Sequence, residues 1–228
     1  MNSYNEAIFR EKSGQYWEEK IHTTFGNHVE CIFSSTITHV HDINMTPRQY
    51  ALSSVFFVSS LYYLEFLLKK NPKVIVDIGC GANLFKKLIP NIYGIDPTPN
   101  NRLADEFDFF DADFSQGHTD AYESVFSICA LHFISLVDFE KRILEFYNIV
   151  APGGRGFLTF NAMRMVECTS AQDLQILFSS NSPTPEQLTQ YVKTVLNNLT
   201  INFLLTEVLI NDCVDEISNG NIRLIFDK

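Results

Sequence analysis

Residues 74–83 read Val-Ile-Val-Asp-Ile-Gly-Cys-Gly-Ala-Asn. Apolar β-branched residues run up to Asp77 and read as a buried strand. The chain then turns through Gly79 and Gly81 toward a helix over Leu84–Leu88. Small residues at such a turn let a ligand approach the backbone closely. Open α/β sheets bind ligands beyond the carboxyl ends of their strands, so the place also suits a site. A dinucleotide fingerprint would need a third glycine where this chain has Leu84, whose bulk blocks the close helix–strand approach. Asp77 also repels a pyrophosphate and suits the ammonium group of an amino acid.

The next strand carries a second signal. Tyr-Gly-Ile-Asp-Pro, residues 93–97, ends an apolar run in Asp96, 19 residues after Asp77 (96 − 77). A carboxylate at the tip of the second strand fits a pair of ribose hydroxyls. An aspartate before Pro97 also fits a turn. Beside Asp77 the binding reading is preferred.

Outward from this core the chain alternates. Strands are predicted at Phe109–Phe110, Val125–Cys129, Gly156–Phe160, Ile201–Ile210 and Ile222–Phe226. Helices are predicted at Asp138–Val150 and Pro185–Asn198. Near-continuous apolar strands between helices indicate a parallel sheet covered on both faces. Asn219-Gly220 between the last two strands favours an antiparallel hairpin. Residues 1–70 read as a helical cap, with Thr46 and Pro47 opening a helix that Asn71-Pro72 breaks. The expected architecture is α/β and Rossmann-like. It has a seven-stranded, mostly parallel sheet, an antiparallel C-terminal hairpin, helices on both faces and an N-terminal helical cap. The domain proper spans 71–228.

Composition narrows the function. A 46% hydrophobic chain of 228 residues can bury a sizeable core. A net charge of −10 disfavours broad contact with nucleic-acid phosphates. Five scattered cysteines without a C-x-x-C pair argue against a disulfide framework and against a cysteine zinc site. Residues 1–20 lack the apolar core of a signal peptide, and a cytoplasmic setting is expected. Ala51–Leu68 is interrupted by Ser53, Ser54, Ser59, Ser60 and Glu65, so no membrane span is expected.

These motifs together resemble the class I S-adenosylmethionine-dependent methyltransferases, over residues 74–160. Val-Asp-Ile-Gly-Cys-Gly (76–81) resembles their first motif, and Gly-Ile-Asp-Pro (94–97) their ribose-binding strand end. Asp111-Ala112-Asp113-Phe114 is similar to the segment beside the adenine. Ser-Ile-Cys-Ala-Leu-His-Phe (127–133) is similar to the motif facing the methyl group, and Val-Ala-Pro-Gly-Gly-Arg-Gly-Phe (150–157) to the turn opening the fifth strand. The resemblance implies S-adenosyl-L-methionine as cofactor. The implied binding residues are Asp77, Gly79, Cys80, Gly81, Asn83, Asp96, Pro97, Asp111, Ala112, Asp113, Phe114, Cys129 and Ala130. Asn83 stands where the family commonly has a third glycine; it either touches the methionine moiety or caps the helix. Either Asp111 or Asp113 meets the adenine amino group. The implied reaction is methyl transfer to an oxygen or nitrogen nucleophile. A small-molecule acceptor is expected, with nucleic-acid and protein acceptors, or a non-catalytic scaffold, as alternatives. Scaffolds lose the binding carboxylates, and this chain keeps both.

His132 follows the fourth strand and is the candidate general base; a structural histidine at the same place is the other reading. Tyr16 and Trp17 either close over the sulfonium or pack on the core. His39 and His41 would share a face of a strand. A metal site needs three or four converging ligands, and His22, His28 and His118 are distant in sequence, so no metal is expected. Arg48 and Arg102 suit an acidic acceptor or a solvated surface.

Overall fold

The computed structural model describes residues 72–80, 91–97, 104–106, 108, 110–128, 130–210 and 221–228. The expected cap over 1–70 lies outside the described residues, as do the Leu84–Leu88 helix and the Asn219-Gly220 turn.

The strands are β1 (Ile75–Ile78), β2 (Ile92–Ile95), β3 (Tyr122–Ile128), β4 (Val150–Asn161), β5 (Phe203–Leu209) and β6 (Asn221–Asp227). They form one sheet in the order β2-β1-β3-β4-β6-β5. β1 lies parallel to both β2 and β3, and β3 parallel to β4. β6 runs antiparallel to β4 and to β5, which is the C-terminal hairpin the sequence implied. The chain steps from β1 to β2 on one side and returns to β3 on the other. The crevice beyond the ends of β1 and β3 is therefore a topological switch point.

The described sheet has six strands where seven were expected. Phe109 of the expected third strand lies outside the described residues; beyond β2, Glu106 makes an isolated parallel bridge to Ile95. Acidic residues Asp105, Glu106 and Asp108 crowd this edge, and acidic residues are poor ladder formers. The Pro152-Gly153-Gly154 turn also differs from expectation: it lies inside β4 rather than before it. The ladder with β3 slips there, between Tyr122 and Ser124. Gly153 takes φ +76°, and a Cβ on Gly154 would sit 2.8 Å from the Glu123 carbonyl oxygen, so both positions suit only glycine.

The helices are α1 (Ala112–Gly117), α2 (Phe139–Ile149), α3 (Ala162–Glu167), α4 (Ala171–Phe178) and α5 (Pro185–Asn198). α5 starts on a capping box between Thr184 and Gln187, with Pro185 in the first turn, which satisfies end donors that would otherwise lack partners. Its Leu188, Val192 and Leu196 recur at helical spacing and are buried. α2 buries Phe139, Ile143, Phe146 and Ile149 by the same periodicity. The described helices join one apolar cluster with Val76, Ile78, Val125, Leu158, Leu224 and Phe226 of the strands. These strand residues share a face of the sheet; Ile75 and Asp77, one step out of phase, point to the other.

Phe226 is the keystone of this face. It stands opposite Gly156 in the β4–β6 register. It is wholly buried and ringed by Phe146 at 6.1 Å, Tyr147 at 5.2 Å and Phe203 at 6.3 Å between ring centroids. A Cβ on Gly156 would lie 2.3 Å from the ring. The surrounding aromatic residues leave that ring nowhere to swing. Gly156→Ala is therefore expected to lower stability by about 1–3 kcal/mol, read as a shifted denaturant midpoint at unchanged slope. An unshifted midpoint would show that the ring relocates freely.

Candidate functional site

The site is built at the ends of β1, β2 and β3. Asp77 lies in β1 between Gly94 of β2 and Phe126 of β3 and is 3% exposed. Asp96, just past β2, is 7% exposed. Burial first, and then the charge of Asp96, raise the Asp77 pKa well above the ordinary carboxylate value. Charging Asp77 here is costly without a cation or strong donors nearby.

Gly79 ends β1 at φ +72°, and a Cβ there would fall 2.1 Å from that of Ala130. The turn after β1 and the loop after β3 thus meet at a point where only glycine fits. Two amides lock the turn to β2: Gly79 N–H donates to the Ile95 carbonyl at 2.7 Å and Cys80 N–H to the same oxygen at 3.1 Å. Ser127 Oγ donates to the Ile78 carbonyl at 2.8 Å and ties β3 to the same turn. Burial, followed by the charges of Asp77, Asp96 and Asp105, pushes the Cys80 thiol up to about 12. Cys80 is therefore a neutral thiol at physiological pH, unsuited to nucleophilic catalysis.

A cavity of about 240 Å³ opens beside this turn. Ile78, Gly79, Ile95 and Pro97 form one wall, Ala130, Leu131, Phe133 and Ile134 a second, and Asp108, Phe110 and Arg142 a third. Phe133 stands at the mouth, 67% exposed. The outer wall is anchored to β2: Asp105 and Glu106 N–H groups donate to the Gly94 carbonyl at 2.9 and 3.2 Å. The Asp105 carboxylate accepts from Gly94 N–H at 2.9 Å, and Tyr93 Oη donates to Glu106 Oε2 at 3.0 Å.

The structure brings Asp77, Gly79, Cys80, Asp96, Pro97 and Ala130 to this one end of the sheet. Gly81, Asn83 and Cys129 lie outside the described residues, as do Tyr16, Trp17, His22, His28, His39, His41, Arg48 and Arg102. The Asp111–Phe114 segment serves other ends. Asp111 Oδ1 accepts from Asp113 N–H at 2.9 Å and Phe114 N–H at 3.0 Å, so it caps α1. Asp113 is exposed, and Ala112 borders a separate surface groove along α1 and α2. Phe114 is buried and stacked 4.0 Å from the His118 ring. Asp108 and Phe110 line the cavity instead, together with Leu131, Ile134 and Arg142. The predicted Phe109–Phe110 strand pointed at part of this wall; nothing in the spacing of Arg142 pointed at the rest.

His132 is 6% exposed and is absent from the cavity wall that its neighbours Leu131 and Phe133 form. Its Nδ1 has no hydrogen-bond partner among the described residues. Burial and then the charge of Arg164 lower its pKa to about 4, so the ring is neutral and weakly basic at pH 7. Among the described residues, no three His, Cys, Asp or Glu side chains are grouped to hold a metal ion. No described helix is long and apolar enough to cross a membrane.

No family model and no curated protein matches this sequence. Among solved structures the chain is similar to the PH0226 protein of Pyrococcus horikoshii OT3, at 15% identity over 82% of this chain and 93% of that one, with a TM-score of 0.49. It is similar to a SAM dependent methyltransferase from Archaeoglobus fulgidus, at 11% identity over 75% and 91% of the two chains and a TM-score of 0.46. It is also similar to an S-adenosylmethionine dependent methyltransferase from Mesorhizobium loti, at 13% identity over 72% and 96% and a TM-score of 0.45. The chemistry has to be read from the site itself.

Two stability measurements check the electrostatics. The raised Asp77 pKa means that the folded protein holds this proton more tightly than the unfolded chain. The wild type therefore loses stability as pH rises from the unfolded toward the folded value. Asp77→Asn is expected to raise the unfolding midpoint of the ligand-free protein at pH 8, with a gain that shrinks toward acid pH; a gain constant with pH would sink the assignment. His132 has the opposite sign. Its folded value near 4 lies under the ordinary 6.5, so the unfolded chain binds more protons between the two and stability falls on acidification. His132→Gln should flatten that slope, by at most about 3 kcal/mol between pH 7 and pH 4. Parallel slopes for the two proteins would show that His132 titrates normally.

Proposed function

We propose that this chain binds S-adenosyl-L-methionine at the ends of β1 and β2 and transfers its methyl group to an oxygen or nitrogen nucleophile of a small-molecule acceptor. The observation that carries the reading is the pair of buried carboxylates, Asp77 and Asp96, at adjacent strand ends of the switch point. The group fits this pair. An amino-acid ammonium would relieve the cost of an ionised Asp77, and Asp96 is placed for the two hydroxyls of a ribose. Ile95, Pro97, Phe110 and Leu131 offer apolar surface to an aromatic ring, and the Asp108 carboxylate is an acceptor for a ring amino group. With Asp111 engaged as a helix cap, the adenine edge is assigned to Asp108 rather than to Asp111 or Asp113. Gly81, Asn83 and Cys129 keep their assignment through the sequence resemblance alone.

Asp77 points to one face of the sheet and the cavity opens on the other, where Ile78 lies. A ligand that reaches both passes the end of β1 at the Gly79 turn, beside the Ala130 side chain. When bound, the cofactor supplies an electrophilic methyl group on a sulfonium. The residues of the chain hold and orient: Asp77 and Asp96 fix the polar groups, and the apolar wall excludes water. Alignment of this kind is the main requirement of an in-line displacement. His132, held neutral by burial, serves better as a hydrogen-bonding or packing group of the acceptor loop than as a strong base. The net charge of −10 supports a small acceptor over a polyphosphate one.

Calorimetric titration with S-adenosylhomocysteine tests the reading. The wild type is expected to bind in the micromolar range. Asp77→Ala and Asp96→Ala should each weaken binding by roughly tenfold or more, the scale of one lost charge-assisted hydrogen bond. Absence of binding by folded wild type would overturn the proposal.

A further inference from the structure

We infer that Arg142, on α2, is a positioning residue for the adenine wall, a step that rests on the cofactor reading above. The inference starts at the edge of the sheet beyond β2. The chain there makes a bridge at Glu106, and Asp96 N–H donates to the Glu106 carbonyl at 3.2 Å. Asp108 and Phe110 form a wall of the cavity, and a wall that selects a ring has to be held still.

Arg142 holds it from outside the sheet. Its Nη1 donates to the Phe110 carbonyl oxygen, and its guanidinium carbon stands 5.6 Å from the centroid of the Phe110 ring. One side chain thus fixes both the backbone and the ring face of the residue two positions after Asp108. Arg142 is itself fixed. Glu145, one turn on, lies 3.4 Å away as an ionic contact, with the two side chains only 16% and 11% exposed. The Glu145 carbonyl accepts from Ser115 Oγ of α1 at 2.8 Å, which locks α2 to the helix that follows the wall. Phe146 packs on the same Phe110 ring at 6.2 Å. A planar guanidinium does this double work because it donates in its plane and stacks through its face. Arg142 therefore holds the Phe110 backbone and ring, and through them sets the position of the Asp108 carboxylate two residues away.

The test is a binding ratio. S-adenosylhomocysteine carries an amino group on its ring; S-inosylhomocysteine carries an oxo group there. A correctly placed Asp108 accepts from the first and repels the second, so the wild type should prefer adenosyl by roughly tenfold or more. Arg142→Met is expected to weaken adenosyl binding and to bring this preference close to unity. Arg142→Lys should recover part of the preference, since an ammonium still donates to the Phe110 carbonyl but does not stack in the same way. Asp77→Ala, remote from the ring, should weaken both ligands equally and leave the preference intact. A folded Arg142→Met protein with the wild-type preference would overturn the inference and leave the cofactor reading standing. Where Arg142→Met does not fold, the same ratio in Arg142→Lys decides, and an unchanged ratio there overturns it. Failure of the wild type to bind either ligand would overturn the cofactor reading, and this inference with it.

Discussion

A carboxylate buried in the inner strand of a parallel sheet is the constraint around which this molecule is arranged. Asp77 has a strand on either side and lies 3% exposed, in a position where apolar side chains are the rule. Its neighbour in charge, Asp96, makes ionisation harder still. Such a group is tolerated because the opposite face of the same strand contributes Val76 and Ile78 to a large apolar cluster. The turn that follows is also stitched twice to the Ile95 carbonyl. The rigid frame is what allows a carboxyl group to stay buried here, and a buried carboxyl with a raised pKa is a group whose ionisation a cationic ligand would favour.

Local sequence determined much of the frame. The α5 helix spans Pro185–Asn198, as its capping box and apolar period require, and α2 differs by one residue at each end from its periodic pattern. The strands at Val125, Gly156, Ile201 and Ile222 were legible because each is a mostly apolar run, broken by single polar residues such as Ser127, Thr159 and Arg223. What failed to show was decided by tertiary contact. α3 and α4 are six and eight residues long, too short to carry a period, and their ends are set by Asn161 and Ser170 caps that read equally well as loop residues. The bridge to β2 at acidic Glu106 was not legible either, because the apolar signal of this stretch lies in the Phe109–Phe110 pair.

The site was legible in a different way. Asp77, Gly79 and Asp96 declared themselves through an unusual residue at the end of an apolar run, which is a local pattern. Asp111 did so too, but its pattern was ambiguous: an aspartate before Ala-Asp-Phe is equally a helix cap, and the hydrogen bonds to Asp113 and Phe114 amides show it used as one. Arg142 and Glu145 form an ordinary i, i+3 pair in sequence, indistinguishable from a solvated helix face. Their reach to Phe110 depends on how α2 packs against the edge of the sheet, and no local pattern encodes that.

The distribution of charge along the strands separates holding from binding. At the amino ends of β3 and β4, charges are paired. Arg155 meets Asp227 at 2.6 and 2.9 Å, and Lys228 reaches Asp120 at 2.7 Å. Lys228 Nζ also donates to the Tyr147 and Asn148 carbonyls in the last turn of α2, where a cation is favoured. These contacts tie the C-terminal residues into the sheet and neutralise that end. At the carboxyl ends Asp77 and Asp96 are buried close together, beside a cavity whose wall includes Asp108 and the cation of Arg142. Arg142 is turned to the Phe110 carbonyl and to Glu145 rather than to Asp77. Two buried carboxyl groups thus stand at one end of the sheet, while the ion pairs of Arg155 and Lys228 stand at the other. Buried carboxyl groups at the strand ends cost stability in a domain that only has to fold, and this distribution is what supports the proposed site for a cationic ligand.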